Sequence, residues 1–498
     1  MKTSTIVLTL IVTSGLLLAC NNQTAEETLP LNGPSNEPSD EPTAQDKIDL
    51  YATMLAFNPN DGFNRPGEIA KALEEGWLNF SSNEDVFSNY LSDMKNRFEP
   101  YIAWAEETGF SIDREIPGAF AWNVIEPAEG EGYHWNISDL VVESVNAAGM
   151  SLSALIQPFA AWDQDSIPEG CEAIDFAYYD YKADTPTDWE AYQAFLTATV
   201  ERYDGDGEDD MPGLLYPVKY WEIGNEYDGK CGGDLNEAEN YFELMKVSSQ
   251  TIRAPDPEAR VLTMGALEIN SDLRDQDVKG FWEDFFALGG GETIDIFNFH
   301  YNREKFGMAS SSEEFEEHLE FFNETMKVND AVKPMWITEF GTYSGSPATN
   351  TPPGGNKGGE IPGSPTQSEA AQSAWYFRYS ILAFAQGVEK IFVDLQGQDN
   401  STIGGSSLYN EKGEARDFLY TIQALAQTLE GFESVEKLAE GQYLFVVDGV
   451  KVYALWEGDL PEEIESEVEV MRISGESTIM NSSDIELSEE NPILLTHN

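Results

Sequence analysis

From about residue 50 to 430 one pattern repeats: a short apolar run, then a longer amphipathic stretch. The clear runs are 153–159 (SALIQPF), 218–223 (VKYWEI), 261–266 (VLTMGA), 294–299 (IDIFNF), 334–338 (PMWIT) and 390–395 (KIFVDL). Weaker ones are 51–57 and 111–116. Between them, 188–203 places Trp189, Tyr192, Phe195, Leu196 and Val200 at helical spacing, and 238–252, 313–328 and 368–386 read the same way. Strand-then-helix order demands parallel strands with helices outside. Eight such strands favour a closed barrel over an open sheet. An open doubly wound sheet would usually carry a Gly-rich phosphate loop after its first strand, and the sequence has none. The predicted fold class is α/β, a (β/α)8 TIM barrel over 46–430.

Past residue 431 the pattern changes. The segments 443–447, 450–456, 468–473, 477–480 and 492–496 are short strands with no helix between them. They predict a small antiparallel β domain, sandwich-like, over 431–498. It is too short for a full immunoglobulin-like sandwich, so a strand borrowed from the chain before the barrel is expected. No internal repeat is evident.

The first forty-five residues read as an address and a tether. Lys2 precedes an apolar run, 6–18, that is too short and wrongly flanked for a stable membrane span. It ends in Leu17-Leu18-Ala19-Cys20, which resembles a bacterial lipoprotein signal over 1–20, with Cys20 the lipidated residue. Residues 21–45 are polar and rich in Pro, Glu, Ser and Asn, a flexible linker. The implied location is lipid-anchored, at the cell surface or in the periplasm. Two cysteines remain, Cys171 and Cys231. Either they form a disulfide, closing a loop of about 60 residues that the chain-entropy model values at roughly 4 kcal/mol, or they are free thiols.

Charge narrows the partners. The 498 residues carry 28 Lys+Arg against 90 Asp+Glu, a formal net charge of −62. Nucleic acid is disfavoured, because phosphate binding needs a cationic face. Anionic lipid and polyanionic substrates are disfavoured for the same reason, so contact with a membrane is expected through the lipid anchor only. Disorder is not the explanation of the charge for most of the chain, since hydrophobic residues at 41% and aromatic residues at 12% supply a large core.

Two glutamates carry the chemistry. Trp221-Glu222-Ile223-Gly224-Asn225-Glu226 ends one strand and Trp336-Ile337-Thr338-Glu339-Phe340-Gly341 ends another, with two strands between them. If Glu226 closes strand 4, Glu339 closes strand 7. Strand C-terminal ends converge on one face of a barrel, where its chemistry sits. Two facing carboxyls are the machinery of glycoside hydrolysis, one protonated to help the leaving group depart, the other ionised to attack the anomeric carbon. That machinery requires no metal or other cofactor.

This arrangement resembles clan A of the retaining glycoside hydrolases, which includes families 5, 39, 42 and 51. The resemblance spans about residues 100–430. It rests on Asn225-Glu226, on Glu339 three strands later and on Asn298-Phe299-His300-Tyr301 between them. Phe120–Pro127 (FAWNVIEP), with Gly130 and Tyr133-His134-Trp135, adds to it. It implies Glu226 as general acid/base and Glu339 as nucleophile, forming a covalent glycosyl-enzyme. Asn225 is expected on the sugar 2-hydroxyl, and His300 and Tyr301 where the clan places a residue holding the nucleophile or acid/base. Arg114 is expected to keep Glu339 anionic. The clan often ends strand 8 with a tryptophan platform; here the sequence reads Asp394-Leu395-Gln396-Gly397-Gln398, leaving Gln396 or another aromatic to serve. Trp122, Trp162, Tyr227 and Tyr343 either stack on sugars or pack between loops.

Two loops stand apart. The segment 204–210 (DGDGEDD) is dense in oxygen ligands, with Asp204, Asp206 and Asp210 either a structural calcium loop or a solvated acidic turn. The Gly/Pro-rich excursion 344–367 follows Glu339, as a cleft wall, a lid or a plain insertion. The expectation is a retaining glycosidase acting on a neutral polysaccharide or oligosaccharide, endo-acting on a β-linked glucan or mannan. The alternatives are an exo-glycosidase of the same clan (β-galactosidase-, β-xylosidase- or arabinofuranosidase-like) and a non-catalytic carbohydrate-binding lipoprotein.

Overall fold

The computed structural model describes residues 49–55, 103–115, 118–164, 184–229, 233–269, 277–302, 311–344, 367–395, 415–464 and 467–497. The strands are β1 (Tyr51–Leu55), β2 (Ile112–Glu115), β3 (Ser151–Ile156), β4 (Tyr220–Ile223), β5 (Arg260–Leu262), β6 (Phe297–Tyr301), β7 (Met335–Phe340) and β8 (Val388–Leu395). They form one sheet in the order β5-β4-β3-β2-β1-β8-β7-β6, every pairing parallel. Parallel bridges Leu262↔Ile296 and Ala266↔Phe299 join its two ends. The ring closes and the sheet is a barrel.

Helices cover the outside: α1 (Asn136–Ala147), α2 (Trp189–Tyr203), α3 (Ala238–Ile252), α4 (Val278–Ala287), α5 (Ser312–Val328), α6 (Glu369–Ala385) and α7 (Asp417–Leu429). Several starts are set by side chains that accept orphan amides. Asp188 accepts from Ala191 N–H, Asp277 from Gly280 and Ser368 from Ala371. At α5, Ser311 and Glu314 cap each other's backbone amides, a full capping box.

Alternation along the strands sorts residues between two environments. Outward residues such as Trp221, Phe297 and Phe299 join the large core between sheet and helices. Inward residues fill the barrel in layers. The lowest layer holds Ala52, Ile112, Leu262, Ile296, Trp336 and Phe392. Below it, Lys390 lies over the Trp336 ring and donates to Asp49. Two residues further along each strand the interior turns polar, with Arg114, Glu222, Asn298, Thr338 and Asp394 all buried. That polar layer is the floor on which the site stands.

The C-terminal strands, β9 (Ser434–Ala439), β10 (Gln442–Val447), β11 (Val450–Leu455), β12 (Glu467–Arg472), β13 (Ser477–Asn481) and β14 (Ile493–His497), form a single antiparallel sheet in the order β13-β12-β14-β11-β10-β9. The sequence did not mark β9, whose alternating residues are almost all exposed. It supplies an added strand from just after α7, the place where a strand from before the barrel was expected. One face joins the barrel's own core through Tyr443, Phe445, Val452, Ala454 and Trp456. Phe377 of α6 meets Trp456 edge-on. The opposite face packs Tyr453, Leu455, Val468, Val470, Ile493 and Leu495 against Leu460, Ile464, Ile485 and Leu487. Residues 46–498 form one compact unit, so the change of pattern at 431 is not a break in the core. Among the described residues no helix is long and apolar enough to cross a membrane. Cys20, Cys171, Cys231, Gln396 and the excursion 345–366 lie outside the described residues.

Candidate active site

The site is assembled at the C-terminal ends of β2, β4, β6 and β7. Glu226 stands three residues beyond β4 with φ +53, a left-handed conformation that costs an L-residue about 1–2 kcal/mol. Its backbone is pinned by Glu226 N–H to Met264 C=O at 2.8 Å and by Gly224 N–H to Ile156 C=O at 2.8 Å. Gly224 must be glycine: φ is +86, and a Cβ would lie 2.3 Å from the Tyr227 ring.

Across the pocket stands Glu339, the fifth residue of β7. Glu226 and Glu339 are 7% and 8% exposed, nearly enclosed. One carboxylate oxygen of each, together with a His300 ring nitrogen, all lie within 4.8 Å of one another. Retaining glycosidases hold their two carboxyls about 5–5.5 Å apart, whereas inverting ones need about 6.5–9.5 Å to admit a water.

Among the described residues, Arg114, Asn302 and His300 hold Glu339 and Glu226. Arg114 Nη1 donates to Glu339 Oε1 at 3.3 Å. Asn302 Nδ2 donates to Glu339 Oε2 at 2.9 Å. His300 Nδ1 lies 2.8 Å from Glu226 Oε1 and 3.6 Å from Glu339 Oε1, bridging the pair. Burial alone would drive the His300 proton off, but the charge of Glu339 and the bond to Glu226 outweigh it and raise its pKa. For Arg114, burial is likewise outweighed by Glu222 and Glu339, and the guanidinium stays firmly charged. Glu226, His300 and Glu339 each offer an atom with metal-ligand chemistry, and these atoms share the space with the guanidinium of Arg114.

The structure sorts the remaining sequence candidates. Asn225 is in the site, its Oδ1 accepting from Arg114 Nη2 at 3.0 Å. Tyr301 is not. It follows His300 by one residue, so its ring points outward between Phe315 and Trp375. Trp122 offers no face to a sugar: it is wholly buried, stacks on Phe195 and donates Nε1 to Glu126 at 2.9 Å. Glu126 also accepts from Gly130 N–H, so the Glu-Pro-Gly stretch folds its own loop. Trp162 ties to the same loop through Glu126 C=O. Tyr227 donates to buried Gln157, and Tyr343 is also buried.

In the acidic loop Asp210 accepts from Gly205 and Gly207 N–H, Asp204 from Asp206 N–H, and Asp206 from Glu208 N–H. The carboxylates that come together there are Glu201, Asp204 and Asp206 rather than Asp210.

Sequence reading missed Glu222 and Asn302. Glu222 forms a bidentate pair with Arg114, and signalled itself only as a charge inside an apolar strand. Asn302 is two residues past His300 and so shares its inward face, a cue the period-2 rule supplied. Its backbone is in turn held by Glu268, which accepts from Asn302 N–H at 2.9 Å.

The fold is similar to solved structures of glycoside hydrolases. A monomeric beta-xylosidase from Caulobacter crescentus matches with TM-score 0.55 at 12% identity, covering 90% of this chain and 95% of that one. A family 39 glycoside hydrolase from Bacteroides cellulosilyticus matches with TM-score 0.53 at 15% identity, covering 81% and 78%. A GH30 endoxylanase from Clostridium papyrosolvens matches with TM-score 0.51 at 11% identity, covering 91% and 97%. At such identities the likeness is one of fold, a (β/α)8 barrel carrying a β domain. No family model matches the chain, and no curated protein does.

Proposed function

We propose that the chain is a retaining glycoside hydrolase. The observation that carries this is the pair Glu226 and Glu339, within 4.8 Å through one oxygen each, at the ends of strands 4 and 7 of a barrel. Glu226 gives a proton to the departing glycosidic oxygen while Glu339 attacks the anomeric carbon. The resulting glycosyl-enzyme is opened by a water that Glu226 deprotonates. The two ends of this exchange need opposite protonation, and their surroundings differ accordingly. Glu339 has both oxygens held by donors, Arg114 and Asn302. Glu226 shares His300, a group able to pass or retain a proton as the acid becomes a base. Asn225, whose Oδ1 accepts from Arg114, would meet the sugar 2-hydroxyl.

The substrate class follows from charge. A net −62 and two cleft carboxylates favour a neutral saccharide over a polyanion. A β-linked glucan or mannan attacked internally is the first polymer to try. A β-xyloside or xylan is the second, because fold neighbours include a beta-xylosidase and an endoxylanase. Anchoring through Cys20 would put the domain where such polymers are met.

The test is hydrolysis by residues 46–498 of a β-glucan, β-mannan and xylan panel with the matching 4-nitrophenyl glycosides. Glu226→Gln and Glu339→Gln run alongside, with folding checked by circular dichroism. Turnover by the parent chain should fall by about 10²–10⁴-fold in Glu226→Gln, and Glu339→Gln should be at least as poor. Activity surviving Glu339→Gln would remove the mechanism. Saccharide-dependent stabilisation without any turnover would support the binding-protein alternative instead.

A further inference from the structure

The best-formed ion pair in the site does not involve either carboxylate proposed to react. Arg114 Nε donates to Glu222 Oε2 at 2.7 Å and Nη2 to Glu222 Oε1 at 2.8 Å, with both side chains wholly buried. The bond from the same guanidinium to Glu339 is longer, 3.3 Å. Nη2 also reaches Asn225 Oδ1 at 3.0 Å. Among the described residues this planar group serves Glu222, Asn225 and Glu339, and the two-point fork to Glu222 fixes its plane. Glu222 stands on β4 four residues before Glu226, in the polar layer that forms the floor of the site.

Charge explains why this matters. A nucleophile facing an unshared guanidinium is strongly stabilised as an anion and gives up basicity and reactivity. A nucleophile with no cation nearby risks being protonated. Glu222 takes the short bonds, so the Arg114–Glu222 couple is close to neutral and Glu339 feels only part of the positive charge. We propose that Glu222 is a positioning residue: it orients Arg114 toward Asn225 and Glu339 and limits how much of the guanidinium charge reaches the nucleophile. The catalytic consequence rests on the retaining mechanism proposed above; the electrostatic arrangement does not.

Titration tests it without substrate. With Glu carboxyls labelled by 13C, and the Glu339 signal assigned by its loss in Glu339→Gln, Glu339 should titrate about one unit lower in Glu222→Gln than in the parent chain. An unmoved Glu339 titration in folded Glu222→Gln overturns the proposal. Glu222→Asp keeps the charge and breaks the fork. It should leave the Glu339 titration in place but lower kcat/KM on the best aryl glycoside of the panel by about 10–100-fold. If Glu222→Gln does not fold, parental kcat/KM in Glu222→Asp overturns the proposal on its own. Absence of turnover by the parent chain would count against the hydrolase reading, and the titration would still decide the role of Glu222.

Discussion

Among the described residues, two places gather carboxylates, and they are held in opposite ways. In the cleft, Glu226 and Glu339 are nearly buried and each has a nitrogen base or cation as partner, His300 for one, Arg114 for the other. In the loop 204–210, the carboxylates accept mainly from the loop's own backbone amides, and most of the loop is exposed. Burial raises the stakes of every charge. In the cleft that burden is met by side chains drawn from β2, β4 and β6, far apart in sequence. In the loop it is met locally, by neighbours two to five residues away. Density of acidic residues is thus a poor guide to chemistry; distant counter-charges converging on a buried carboxylate are a better one.

Arg114→Met should separate the two regions most sharply. It strands Glu222 without its partner in the barrel interior, a loss of about 3–5 kcal/mol in denaturant unfolding. Asp210→Asn in the loop should stay within about 1 kcal/mol, because solvent stands in for the lost bonds. Equal effects would mean that the two clusters are held alike after all. Next in size is Gly265→Ala. Gly265 has φ +66, and a Cβ there would lie 2.1 Å from His300 Nε2. The expected cost is about 1–3 kcal/mol, with a displaced His300 and reduced turnover. A fully active, equally stable Gly265→Ala would show that the His300 position is not fixed by this close approach.

The smallest effects are in pH. Because the native pKa of His300 is raised, its proton adds stability that is complete below about 6.5 and lost as pH rises through the native value. His300→Asn should remove that decline above neutrality. For Asp204, burial first, then Asp206, Glu201 and Asp210, push the carboxyl up to about 6, against the Asp206 amide. The native state then binds this proton more tightly than the unfolded chain does. Stability gained from it grows as pH falls from about 7 to 4. Asp204→Asn should erase the gain, and thermal unfolding of both variants across pH 4–9 would place the two windows.

Much of this was legible in the sequence, for physical reasons that differ by residue. The two glutamates were found because each ends an apolar strand, and a parallel barrel sends all strand ends to one face. Helices such as Ala238–Ile252 matched their periodicity to the residue. The strand expected over 261–266 is regular only to Leu262, since Gly265 turns the backbone to make room for His300. Tyr301 was expected to hold a catalytic carboxyl and Trp122 either to stack on sugar or to pack between loops; strand alternation and complete burial give both to the core. Glu222 escaped notice because its meaning lies in Arg114, 108 residues earlier.

The central claim is that Glu339 becomes covalently attached to the sugar. Incubation of the chain with 2,4-dinitrophenyl 2-deoxy-2-fluoro glycosides of glucose, mannose and xylose, followed by intact-mass and peptide mass spectrometry, tests it directly. The expected result is inactivation with a single glycosyl adduct on the peptide containing Glu339, and none in Glu339→Gln. An adduct on another residue, or turnover with inversion at the anomeric carbon, would contradict it.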